Sequence, residues 1–111
     1  MIEIADLESK AMAALSYLYD NCAKHAQDRA NSDHLSDFLK VKRAELKSGS
    51  TASSNAAAED AALCHPDYLA VLEGKKTADT IHHTNTFKRQ AAEAIIGAWQ
   101  TCSANSRHRV I

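Results

Sequence analysis

Apolar residues return at spacings of three and four over most of this chain. Ile4, Leu7, Ala11, Ala14, Leu15, Leu18, Cys22 and Ala26 form the first such series, which places them along one stripe of an α-helix. Asp6 and Glu8 stand near its start, where carboxylates complement the helix dipole. Tyr17 and Tyr19 flank the stripe and are expected at its margins. A second stripe follows in Leu35, Phe38, Leu39, Lys42 and Leu46, with Lys40 and Glu45 toward water. Between the two lies Asn31-Ser32-Asp33, whose residue types favour caps over helix interiors. The pattern predicts one bent helix over residues 4–47, with two helices joined at Asn31 as the other solution.

Ser48-Gly49-Ser50-Thr51-Ala52-Ser53 has the composition of a flexible connector, so a loop is expected at about 48–53. Ser53, Ser54 and Asn55 can each cap a following helix from Ala56 to Leu63. Glu59 and Asp60 then fall in its early turns, as a solvated helix start. Cys64-His65 ends that helix ahead of Pro66, because proline disfavours helical geometry in the residue before it. Pro66 suits the first position of a last helix. Tyr68, Leu69, Val71 and Leu72 open it with apolar residues, but from Lys75 to Thr86 only Ala78 and Ile81 are apolar. Thr77, Thr80, Thr84 and Thr86 are poor helix formers, and Gly74 costs about 1 kcal/mol relative to alanine. The helix either breaks there or continues as a thin arm. From Phe87 to Cys102 apolarity returns, and this segment is expected to be the helix against which the rest packs. Ile95, Trp99 and Cys102 share one face of it; Phe87, Ala91, Ala94 and Ala98 form a second stripe. From about residue 103 to 111 the chain reads as a polar tail.

Composition narrows the class. The 111 residues suit a single domain over 1–111 with one modest core. Alanine supplies much of the 45% apolar content and aromatics only 5%, so thin helices packed closely are expected. The expected fold is all-α: an elongated helical bundle of two long helices and one or two shorter ones. The net charge of -1 lacks the basic excess of a dedicated duplex-DNA binder. Local basic clusters stand at Lys40, Lys42, Arg43 and Lys47, at Lys88-Arg89, and at Arg107-His108-Arg109. No aromatic residues interleave with them to stack bases, so solvated helix faces explain them and nucleic-acid contact is expected to be weak at most. Cys22, Cys64 and Cys102 are widely spaced and odd in number, which fits a reducing cytoplasm better than a disulfide framework. The acidic N-terminus is not that of a signal peptide, and no segment is apolar enough to span a membrane.

Candidate chemistry is sparse. Cys22 and His25 stand three apart and could share a metal, but zinc needs four converging ligands; Cys22 as a small core residue and His25 at a margin is the preferred reading. No nucleophile elbow, glycine-rich phosphate loop or H-E-x-x-H is present. Glu59 and Asp60 point about 100° apart on a helix and make no acid/base pair. The expectation is a non-enzyme with no catalytic residue, cofactor or metal. Trp99 reads as a core anchor rather than a partner hot spot. Asn105 and Arg107 serve no core and either cap the last carbonyls or touch a partner.

Several stretches together resemble small helical proteins encoded by bacteriophages and prophages. They are Tyr17-Leu18, the lysine-rich segment Lys40 to Leu46, the acid-Ala-…-Pro-x-Tyr stretch Glu59 to Tyr68, and the ending Glu93 to Arg107. The ending resembles Glu-x-x-Ile-x-x-Trp-Arg-Thr-x-x-Ala-Asn-x-Arg. Gln100 stands here where that pattern has arginine, and the isoleucine spacing to Trp99 is shifted. The resemblance implies a cytoplasmic protein of a bacterial host. It also implies an accessory role in phage DNA recombination or replication through protein contacts. The alternative is inhibition of a host defence nuclease, as by anti-CRISPR proteins. Partner contact is expected through Phe87, Ala91, Ala94, Ala98, Trp99, Asn105 and Arg107. Lys40, Lys42, Arg43, Lys47, Lys88 and Arg89 are candidate basic contacts. Three thin helices can cover only one stripe of the last helix, so a homodimer or a partner helix is expected along Phe87 to Ala98.

Overall fold

The computed structural model describes residues 3–109, the last two by their backbone only. Among these the chain is all-α: α1 (Ile4–Ser48), α2 (Asn55–Leu63) and α3 (Pro66–Arg109). α1 is a single helix, so Asn31-Ser32-Asp33 does not interrupt it. α3 likewise runs unbroken through the threonine-rich stretch. Part of the reason is local. Thr77 Oγ1 donates to the Glu73 carbonyl at 3.2 Å and Thr80 Oγ1 to the Lys76 carbonyl at 2.9 Å. These hydroxyls therefore find acceptors inside the helix rather than competing with it. Ion pairs between Lys75 and Asp79 and between Lys76 and Glu73 add support along the same turns. The helix expected over Phe87–Cys102 is thus the second half of a 44-residue element. The stretch from Ser103 to Arg109, expected as a tail, belongs to its last turns.

The connections are capped as the residue types require. After α1, the Gly49 amide bonds to the Glu45 carbonyl and the Ser50 amide to the Lys47 carbonyl. Ser54 is the N-cap of α2: its backbone is extended and its hydroxyl accepts from the Ala57 amide at 3.1 Å. The helix consequently starts at Asn55, one residue before the expected Ala56. His65 precedes Pro66, and its Nδ1 accepts from the Asp67 amide at 3.1 Å, serving α3 as a capping side chain.

The chain packs as two compact units: Met1–His25 with His83–Ile111, and Ala26–His82. In the first, the covered side of α1 runs through Leu7, Ala11, Ala14, Leu18, Asn21 and His25, at alternating spacings of four and three. On α3 it runs through Asn85, Ala92, Ile96, Trp99, Ser103 and Ser106. This alternation is the signature of helices paired along a narrow seam. Ala11, Ala14 and Ala92 are buried and Asn85 is a buried polar residue. Trp99, expected as a core anchor, is only half-buried, because alanines bring the helix axes too close to enclose an indole. Cys22, expected in the core, is exposed; it lies one position beyond the seam residue Asn21.

In the second unit the seam of α1 continues its spacing through Asp28, Ser32, Leu35, Leu39, Lys42 and Leu46. α3 answers with Tyr68, Val71, Lys75, Ala78 and His82, and α2 contributes Ala58 and Ala62. Ser32, buried, donates to Asp79 Oδ1 at 2.5 Å, and the same carboxylate accepts from Lys75. Arg43 of α1 pairs with Glu59 of α2. Glu59 therefore ties two helices together rather than sitting at a solvated helix start. Every buried apolar residue among those described is an alanine.

Candidate interaction surfaces

A core of alanines leaves larger apolar side chains outside, and their positions define the first surface. On α3, Phe87 is 70% exposed, and Ala91, Ala94 and Ala98 are exposed with it. Their spacing of four, three and four sets them on one face. Ile96 and Trp99 are half-buried toward the covered side of the helix, and half-buried Ile95 lies at the edge between the two. Asn105 and Arg107 are exposed in the last turns of α3, so they share a helix with this face rather than a tail. The side chains of His108 and Arg109 lie outside the described residues.

The second surface is basic. Lys40, Arg43 and Lys47 follow one another at spacings of three and four along α1. Arg43 and Lys40 line a shallow groove of about 310 Å³ together with Ser36, Leu39, Tyr68 and Lys75. A smaller neighbouring groove of about 250 Å³ is lined by Lys40, Arg43, Ala44, Lys47 and Glu59. Lys42 lies apart, at a seam position and paired with Glu45 at 3.7 Å. Lys88 and Arg89 belong to the other unit, where Arg89 reaches Glu93 at 3.9 Å. Of the six candidate basic residues, Lys40, Arg43 and Lys47 share one patch. Glu59 and Asp79 neutralise Arg43 and Lys75 in part, which leaves Lys40 and Lys47 as the groove's freest cations.

Chemistry-bearing residues are dispersed. The Cys22 thiol donates to the Tyr19 carbonyl at 3.3 Å, while His25 shares a 3.1 Å hydrogen bond with the Tyr17 hydroxyl and an edge-on ring contact. The two side chains spaced for a metal are thus engaged with different partners. No group of three or more metal-ligating side chains converges among the described residues. Ser32 and Asn85 are the buried polar residues among those described, and neither they nor Asp79, which Ser32 meets, were singled out by sequence reasoning. The available signal was the unbroken alternation of three and four through the polar middle of α1.

Compared with known proteins, the chain matches no family model, and neither a characterised protein nor a solved structure is significantly similar to it. No helix among the described residues is long and apolar enough to cross a membrane. What stands is the class: an all-α protein of two long helices and one short one.

Proposed function

We propose that this is a phage- or prophage-encoded protein-binding module, without catalytic activity, that acts as an accessory factor in phage DNA recombination or replication. The surface that carries the reading is the exposed stripe Phe87, Ala91, Ala94 and Ala98. A large aromatic ring at the head of a small-residue helix face is suited to a partner helix: the alanines allow close approach and the ring fills a pocket. The resemblance of the Glu93–Arg107 ending to phage proteins supplies the biological setting. Affinity capture from phage-infected cells tests it, with Ala94→Arg and Phe87→Ala as the disrupting variants and the exposed Lys10→Ala as control. A phage DNA-metabolism protein retained by wild type and control, and lost with both disrupting variants, supports the reading. A host defence nuclease retained in the same pattern favours the inhibitor role instead. Equal capture by all four proteins removes the face from consideration.

A second reading rests on the alignment of Lys40, Arg43 and Lys47 beside Lys75. This groove offers cations to a phosphate backbone. With few phosphates neutralised, affinity is expected in the nonspecific range, roughly 10⁻⁴–10⁻⁶ M, and falls as salt rises. Fluorescence anisotropy with a labelled duplex at two salt concentrations measures it. Tight binding that persists at high salt contradicts this reading.

A further inference from the structure

Two shallow grooves on residues 26–82 meet at Lys40 and Arg43 and draw side chains from all three helices. The first, of about 310 Å³, sets the half-buried Tyr68 of α3 and Leu39 of α1 beside Lys40, Arg43 and Lys75. The second carries the basic line on to Lys47. Tyr68 stands far from the lysines of α1 in sequence, so only the packing of α3 on α1 puts an aromatic ring among them. The charge along the line is uneven. Asp79 offsets Lys75 and Glu59 offsets Arg43, which leaves Lys40 and Lys47 as the cations a ligand meets first. These two stand about 10.5 Å apart along the helix axis. That exceeds one nucleotide step, about 3.4 Å along a strand of duplex DNA.

We propose, building on the phosphate-backbone reading of this groove, that it takes single-stranded nucleic acid, with one base against the Tyr68 ring and successive phosphates on Lys40 and Lys47. Cations alone do not discriminate, because any strand of phosphates satisfies them. The ring beside them does. In a duplex each base is paired and stacked between its neighbours, and exposing its face costs unstacking. In a single strand that face is open, and stacking on an aromatic side chain adds affinity without demanding a sequence. Leu39 adds an apolar wall to the same groove, and Ser36 a hydroxyl. The volume lies at the low end of the range for small-molecule pockets, roughly 300–1,000 Å³, which suits one base rather than a run of them. A free mononucleotide would fill this groove and leave Lys47 without a phosphate, so a strand satisfies the line better. Glu59 lines the second groove and holds Arg43; its carboxylate limits the attraction and keeps binding sensitive to salt.

Fluorescence anisotropy at low salt compares three labelled ligands of equal length: an oligothymidylate, an abasic single strand and a duplex. Wild type should hold the oligothymidylate about tenfold more tightly than either of the others, and all three should weaken as salt rises. Tyr68→Leu keeps an apolar side chain at the seam and should bring the three ligands to one affinity, while Tyr68→Phe keeps the preference. Lys40→Gln combined with Lys47→Gln should weaken all three, and circular dichroism confirms that each variant is folded. Equal affinity of the wild type for the three ligands overturns the proposal and leaves the backbone reading standing; binding to none of them overturns both. A preference that survives in folded Tyr68→Leu also overturns the proposal. The abasic comparison needs only the wild type, so it decides the base contact even if Tyr68→Leu fails to fold. The double lysine variant then decides the location, and oligothymidylate binding unchanged in it overturns the proposal.

Discussion

Residues 26–82 and the unit formed by residues 1–25 with 83–111 both bury alanine, and the former also shows bonds that join one helix to another. In the former, side chains distant in sequence are bonded directly: Ser32 to Asp79, 47 residues apart, and Arg43 to Glu59. These bonds fix which turn of one helix meets which turn of another. In the latter, Tyr17 bonds to His25 and Asn21 to the Tyr17 carbonyl, all within α1. The helices there meet over Ala11, Ala14 and Ala92. Alanine packing brings axes together but carries little directional information, whereas a buried hydroxyl–carboxylate bond has one satisfactory partner. The comparison teaches that register and closeness are separable in this chain. One unit shows polar bonds that set register; both use alanine for closeness.

Four substitutions test that separation, in descending order of effect. Ala11 is 0% exposed, and Ala11→Asp forces a carboxylate into an alanine-sized space. A loss of about 3 kcal/mol or more is expected, whereas Ala13→Asp, on the exposed side, should move the urea midpoint little. Equal effects would mean that the helices do not meet at Ala11. Asp79→Ala strands the buried Ser32 hydroxyl and frees Lys75, at a cost of about 2 kcal/mol. Hydrogen exchange should accelerate mainly in residues 26–82; uniform acceleration would show that the bond stabilises the chain without setting register locally. Ser54→Ala removes the α2 cap at about 1 kcal/mol, read as faster exchange at the Ala57 amide. Gly74→Ala should stabilise by up to about 1 kcal/mol, because the added methyl meets nothing within 4 Å. A lowered melting temperature in that variant would reveal a neighbour against Gly74.

Much of the fold was legible in the residues, and the exceptions share one cause. The loop after α1 and the start of α3 at Pro66 followed from serine, glycine and proline, which act locally. The pattern favours one helix through Asn31–Asp33, with a bend, but does not decide between a break and a continuous arm through Lys75–Thr86. Ser32 looks like a cap until Asp79 is known to stand opposite, and that partner lies far along the chain. Glu59 was misread for the same reason, since Arg43 is on another helix. Burial of Trp99 and Cys22 was overestimated because periodicity gives a side chain's direction but not the depth available to it. For the candidate surfaces, spacing showed that Phe87, Ala91, Ala94 and Ala98 share a face. Spacing also aligned Lys40, Arg43 and Lys47. Separating Lys42 from that groove required the tertiary structure.

The alanine seam also has a calorimetric consequence. Heat capacity rises on unfolding in proportion to the apolar surface released, and a typical domain shows about 1.2–1.5 kcal/mol/K per 100 residues. A chain in which every buried apolar residue among those described is an alanine, with its larger side chains at most half-covered, releases less. Its stability curve should accordingly be shallow, with an unfolding enthalpy that varies weakly with temperature and a broad melting transition. The cold-denaturation limit is then pushed far below freezing, and gentle warming erodes stability along a nearly straight line.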